Sequence, residues 1–229
     1  NYFPEYEVRH IEYIEHDDSW WLATSNGLVR YQNENQSIHH FYHIKDVNMS
    51  LPDNNLRCMH KVEDDRIYIG TANGLCLLDV NGETIERIDL NSLTSYKSNK
   101  IDISKIISFN NDEIMISTYT DGLYIYNHKK KTATHISKFN RRNAISDNYV
   151  FDVFKDSNGS VWIATYAGLN RFENNLANFS TVSLFQNGYI LSINYFLEMK
   201  HDDFLLGTES GIKIFNINDE FELRYKDVI

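Results

Sequence analysis

Short apolar runs alternate along this chain with polar turns rich in Gly, Asn and Asp, and one run recurs. The segments "WWLATSNGLVRY", "IYIGTANGLCLL", "IMISTYTDGLYIY", "VWIATYAGLNRF" and "FLLGTESGIKIF" align on Thr24, Thr71, Thr118, Thr165 and Thr208, at spacings of 47, 47, 47 and 43. Glycines follow at Gly27, Gly74, Gly122, Gly168 and Gly211. Three residues before each Thr stands a large side chain (Trp21, Tyr68, Met115, Trp162, Leu205), and two before it an aliphatic one. Immediately before it is a small residue: Ala23, Gly70, Ser117, Ala164 or Gly207. Consecutive apolar residues without alternation predict a strand buried on both faces. The small residue predicts close approach by a neighbouring sheet. The Thr suits a strand end, where its hydroxyl can bond locally, and the Gly predicts a turn of positive φ.

A strand such as "YVFDVFKD" precedes each core and a weaker one such as "ANFSTVSL" follows it. Four short antiparallel strands in about 47 residues match one propeller blade. A helical solenoid is excluded because no repeat holds a 10-residue stretch with helical spacing. The expected fold is therefore all-β, a β-propeller of five blades, over 1–49, 50–96, 97–144, 145–188 and 189–229. Five blades make either a small ring or an arc of a larger one. The arc is the preferred reading, and it would leave apolar blade faces that self-associate.

Composition narrows the partners. The 229 residues suffice for a sizeable core, and aromatics at 14% with only 2 Pro disfavour disorder. A formal net charge of -10 argues against nucleic acid, which needs a basic patch. The basic run Lys129 to Lys131 reads as a solvated turn. Cys58 and Cys76 are separated by a strand in this layout, so no disulfide is expected. No apolar run reaches the ~18 residues of a membrane span, and no signal-peptide pattern is present. The chain reads as a piece of a larger protein.

The repeats resemble the two-component regulator propeller family, whose core is "D-x-x-G-x-x-W-I-G-T-x-x-G-L-x-R-Y" after an "L-P-D-N-x-V" lead-in. "DSNGSVWIATYAGLNRF" after "ISDNYV" matches almost throughout, as do "LPDNNL" and "IYIGTANGLCLL". The third blade carries an extra loop residue, and the fifth lacks the Trp and the "DN" pair. The resemblance implies a periplasmic, extracytoplasmic sensor region of an inner-membrane hybrid histidine kinase, acting on transcription by phosphorelay. A carbohydrate-like ligand is implied, as is membrane attachment through a helix outside this chain. The kinase phosphoacceptor is carried over to none of the 9 His. The segment itself is expected to be no enzyme, and to need no cofactor and no metal.

The loop joining the second and third strands of a blade shares a rim with the lead-in to the next. Rim loops converge near the axis, where propellers commonly bind. The recurring Thr and Gly read as structural and the "DN" pairs as turns. The better ligand candidates are Tyr119, Asp121, Tyr166 and Glu209, with Asn26, Asn73, Asn148 and Tyr149. Ser210 joins them on the rim. Two Tyr and a carboxylate can stack on and hydrogen-bond a sugar-like molecule such as an oligosaccharide. The same slots could instead form a homodimer contact. "HHFYH" would place His39 and His43 on one strand face, and an exposed outer strand is preferred to a metal site. Asp17, Asp18, Glu63, Asp64 and Asp65 read as hairpin turns rather than calcium ligands. The alternatives to a sensor are a lyase or glycoside-active propeller using Glu209 with Asp121 or Asp147 as an acid–base pair, and a protein-interaction scaffold.

Overall fold

A computed structural model describes residues 6–63, 65–173, 178–182, 185–186, 189–190, 192–199, 203–209, 211–217 and 223–228. Asp64 and Ser210 lie outside the described residues. The first sheet is β1 (Val8–Ile14), β2 (Ser19–Thr24), β3 (Gly27–Gln32) and β4 (Ser37–Phe41). The second is β5 (Leu56–Glu63), β6 (Arg66–Thr71), β7 (Gly74–Asp79) and β8 (Thr84–Ile88), followed by the one-turn helix α1 (Leu90–Leu93). The third is β9 (Ile103–Ser108), β10 (Glu113–Thr118), β11 (Leu123–Asn127) and β12 (Thr132–Ile136). The fourth is β13 (Val150–Lys155), β14 (Val161–Thr165), β15 (Gly168–Glu173) and β16 (Asn178–Val182). A two-residue ribbon of β17 (Phe185–Gln186) and β18 (Tyr189–Ile190) precedes the fifth sheet. That sheet comprises β19 (Ile193–Glu198), β20 (Asp203–Thr208), β21 (Gly211–Ile217) and β22 (Leu223–Val228). All five are antiparallel with strands in chain order, as expected of propeller blades.

The repeated Thr and Gly close each β-turn in the same way. Thr24 Oγ1 donates to Gly27 O at 2.7 Å and accepts from Asn26 N at 3.0 Å. Thr71, Thr118 and Thr165 repeat both bonds, and Thr208 repeats the first. Each Gly has positive φ, from 79° at Gly122 to 122° at Gly74, where a Cβ would be strained.

Among the described residues the core is four clusters, each between consecutive sheets. Trp21, Ala23 and Leu28 meet Met59, Ile67 and Ile69, and the pattern repeats around the molecule. The residue three before each Thr therefore faces the following sheet, and the residue two before it faces the preceding one. Both faces of β6, β10 and β14 are thereby buried, which explains their uninterrupted apolar runs. Cys58 and Cys76 lie in different clusters and are free, their thiols pushed up to about 12 by burial.

Every innermost strand carries a register shift, with one extra residue at Arg9, Arg57, Ser104, Phe151 or Asn194. Such a bulge re-aims a side chain out of the ladder. Three of these residues latch onto the next sheet. Arg9 Nη1 donates to Asn55 Oδ1 at 2.5 Å and Leu56 O at 3.1 Å. Arg57 grips both Asp102 carboxylate oxygens at 2.9 and 3.0 Å, and Ser104 Oγ donates to Val150 O at 2.6 Å. Packing runs from β1 to β5, β9, β13 and β19 in turn. Among the described residues, no comparable packing joins the fifth sheet back to the first.

Candidate functional site

The turn loops and the lead-in loops are sewn into one rim by backbone hydrogen bonds. Within a sheet, Ser25 N donates to Glu7 O, Ala72 N to Asn55 O, Tyr119 N to Asp102 O and Tyr166 N to Tyr149 O, all at 2.8–3.0 Å. Between sheets, Gly27 N donates to Asn54 O, Gly74 N to Ile101 O and Gly122 N to Asn148 O. The lead-in turns are self-capped: Asp53 Oδ1 accepts from Asn55 N and Asp147 Oδ1 from Tyr149 N. "DN" pairs thus shape the rim through their own side chains.

Towards the axis, Tyr119 lies under Arg57, 5.5 Å from its ring centroid, and meets Phe151 edge-on at 6.4 Å. Tyr149, Tyr166 and Glu209 are exposed on the rim, and Asn26 is half-buried. Asn148 is committed, its Oδ1 accepting from Lys138 N at 2.8 Å. Asp147 pairs with Lys138 Nζ at 2.8 Å. Asp121 is buried and serves as an anchor. It accepts from Tyr96 Oη at 2.8 Å and Ser98 Oγ at 2.5 Å, and its own N donates to Thr118 Oγ1. Its carbonyl accepts from His135 Nε2, and His135 stacks on Tyr96 at 4.0 Å. The bond to Asp121 raises the Tyr96 phenol, and burial lowers His135. The extra residue of the third turn therefore holds down the loop running from 94 to 100.

That loop walls a cleft of about 770 Å3 on the flank of the second sheet. Its floor is Leu75, Ile85, Ile88 and Leu90. One wall runs from His43 to Pro52, the other from Asp89 to Ile101. Arg87 braces the first wall, donating to Ser50 O, Leu51 O and Ser50 Oγ at 2.7–2.8 Å. Asn91 braces the second through a paired bond with Ser98, 2.9 and 2.8 Å. Asn48, Asn73, Glu86, Asp89, Asn99 and Lys100 stand exposed around the mouth. Of the sequence candidates only Asn73 lines this cleft; Tyr119, Tyr149, Tyr166 and Glu209 lie elsewhere on the rim. Sequence reading missed Arg57, Phe151 and Arg87. The matched "VRH" and "LRC" starts of β1 and β5 are the one signal for the first of these.

The His cluster falls out differently from its strand reading. β4 ends at Phe41, and His43 turns back so that Nδ1 lies 2.8 Å from Leu51 O and 3.1 Å from Arg87. His40 stacks on Tyr42 instead. Among the described residues no group of three His, Cys, Asp or Glu is placed to hold a metal ion, and no helix is long and apolar enough to cross a membrane.

A family profile described as "Two component regulator propeller" matches residues 144–167, the span holding the Asp147 turn and the Asp156–Trp162 hairpin. Histidine kinase P4 of Formosa agariphila is 25% identical over 94% of this chain and 16% of its own length. The extracellular domain of a B. thetaiotaomicron protein assigned as hybrid two component system BT3049 superposes with TM-score 0.73 at 21% identity, covering 97% of this chain and 29% of that one. The extracellular domain of one assigned as one component system BT4673, from the same organism, gives TM-score 0.76 at 17% identity, covering 99% and 28%. The chain therefore spans about a sixth of the curated relative and under a third of either solved chain. Residues 144–167 thus match a two-component regulator propeller repeat, and the five sheets share the fold of these extracellular domains.

Proposed function

We propose that this chain is part of the extracytoplasmic, ligand-sensing propeller of a hybrid two-component sensor histidine kinase, and that its signal is a carbohydrate-like molecule passed to transcription by phosphorelay. The matched repeat, the histidine kinase relative and the extracellular neighbours support the sensor assignment. The cleft of about 770 Å3 carries the ligand reading, since small-molecule sites fall at roughly 300–1,000 Å3. An apolar floor under a ring of amides and charges suits the apolar face and hydroxyl edge of a sugar. Its walls belong to two different sheet junctions, 43–52 before the second sheet and 89–101 after it. A ligand bridging them biases the relative setting of three sheets. It transmits a signal only if it binds one setting more tightly than the other.

The test is calorimetric titration of the purified chain with a panel of neutral and acidic oligosaccharides, alongside Asn73→Ala/Lys100→Ala and Tyr166→Ala variants. The expected result is saturable binding weakened about tenfold, or about 1.4 kcal/mol, by the cleft variant. Loss with Tyr166→Ala alone moves the ligand to the axial rim. No binding by any saccharide refutes the ligand class, and released product in the mixture favours a propeller enzyme.

A further inference from the structure

Exposed apolar side chains in the loops of the first four sheets are confined to one end of the molecule. Among the described residues, the rim loops of these sheets expose Ile44 at 55%, Met49 at 70%, Phe139 at 77% and Tyr166 at 58%, with Val47 and Tyr149 beside them. The hairpins at the opposite end of the same sheets expose no large apolar side chain among the described residues. Charge divides the same way. Exposed Lys45, Lys138, Arg141 and Arg142 stand in the loops that carry the apolar tips, whereas the far hairpins expose Glu15, Asp18, Glu34, Glu63 and Glu83. The basic run at that far end is tied down, Lys129 to Asp112 and Lys131 to Glu86. Most rim carboxylates are committed. Asp53 and Asp147 cap their own turns, Asp89 caps α1 and Asp102 grips Arg57; exposed Asp46 is the exception. The tips are also pinned from below. Buried Ser50 Oγ accepts from Ile44 N at 3.0 Å and donates to Val47 O at 2.8 Å. Asn140 Oδ1 accepts from Ser137 N and Ser137 Oγ at 3.0 and 2.8 Å.

We propose that this rim is a membrane-contact surface, its apolar tips entering the interface of an anionic bilayer and its bases meeting the lipid headgroups. This goes beyond the sensor reading and does not depend on it. Two observations favour a bilayer over a protein face. The loops after the first and third sheets and the turn of the fourth all end at one rim, because antiparallel strands in chain order return them there, so they meet a flat surface together. A protein interface gathers its apolar residues in a central patch with charge outside it. Here the two are interleaved: Lys45 follows Ile44, and Lys138 precedes Phe139 with its Nζ 5.6 Å from the ring centroid. That is the pattern of segments lying in the headgroup layer. The acidic end does not oppose the contact. Strands of six residues hold the two ends roughly 20 Å apart, beyond the ~8 Å screening length of physiological salt. A net charge of -10 is therefore compatible with seating through the rim.

The test is co-sedimentation of the purified chain with vesicles of phosphatidylcholine alone and of phosphatidylcholine mixed with phosphatidylglycerol. Binding is expected to the mixed vesicles only, and it should weaken as salt rises. Arg141→Ala/Arg142→Ala removes two bases and is expected to weaken binding about twentyfold, at about fivefold for each. Phe139→Ser and Met49→Ser each remove an apolar tip and are expected to weaken binding without changing its salt dependence. All four positions are exposed, and an unchanged melting temperature shows that each variant folds. Lys129→Ala/Lys130→Ala, at the opposite end, is the control and should bind as wild type. A chain that pellets with neither vesicle overturns the proposal and leaves the tips to a protein partner. So does equal binding to both vesicles, binding that survives the rim variants, or binding lost in the control.

Discussion

Gly70→Ala pits two effects of opposite sign. The backbone at Gly70 lies outside the left-handed region, so the smaller unfolded-state entropy of Ala would by itself add about 0.4–1 kcal/mol of stability. The space does not allow it. A Cβ there would come within 2.5 Å of Ile103 Cγ2, from the following sheet, and 2.8 Å of Cys58 Sγ. Both neighbours are buried and cannot swing into solvent. Overpacking of this kind costs about 1–3 kcal/mol, so the net expectation is a loss of about 1–2 kcal/mol. Ala23 and Ala164 at the same register position show that the strand itself accepts a Cβ; the obstacles are Ile103 of the facing sheet and Cys58, the cross-strand partner of Gly70. Gly207 is the internal control, since its three nearest neighbours are all atoms of Tyr195 on its own sheet, the closest at 3.2 Å. Urea unfolding followed by tryptophan fluorescence measures both. The midpoint should fall for Gly70→Ala and fall less, or rise, for Gly207→Ala. A Gly70→Ala midpoint at or above wild type would refute the claim that sheet-to-sheet contact sets the small residue.

Other outcomes follow from single contacts. Asp156 accepts from Trp162 Nε1 at 2.7 Å and caps the "DSNG" turn through Asn158 N and Ser160 N. Asp156→Ala should cost about 1–3 kcal/mol, read by thermal melting, because a buried indole N–H loses its partner. The Arg57–Asp102 pair is bidentate and mostly buried. A double-mutant cycle with Arg57→Ala and Asp102→Ala should give a coupling of about 1 kcal/mol or more, and none would show that the bulge does not join the sheets. Burial holds His135 below its ordinary value of 6.5. The unfolded chain therefore takes up its proton first as pH falls, so stability present above that value declines as pH drops through it. Melting temperature should fall from pH 7 to 5, and less steeply in His135→Phe, which keeps a ring against Tyr96.

Much of the architecture was legible because a blade is a local object. The Thr-to-Gly turn needs a hydroxyl, two loop residues and a positive φ, all within five positions, so Thr24 to Gly27 and its repeats announced themselves. The unbroken apolar runs at Ile67–Gly70 and Val161–Ala164 said that both faces are covered, and the small residue before each Thr said that something comes close. The rim was legible for the same reason: antiparallel order alone brings the turn and lead-in loops to one edge. What the sequence could not convey is what each side chain meets from a different blade. Asp121 looked like a ligand carboxylate until Tyr96 and Ser98, from the preceding loop, closed on it. Trp21 and Trp162 share a repeat position, yet only the second indole has a carboxylate partner, because the turn before Trp21 runs through a 3-10 helix from Glu15 to Asp17. The cleft beside the second sheet depends on two loops far apart in sequence being braced by Arg87 and Asn91. Periodicity within the chain determined the blade and its repeated packing; the contacts that differ from one blade junction to the next decided the site.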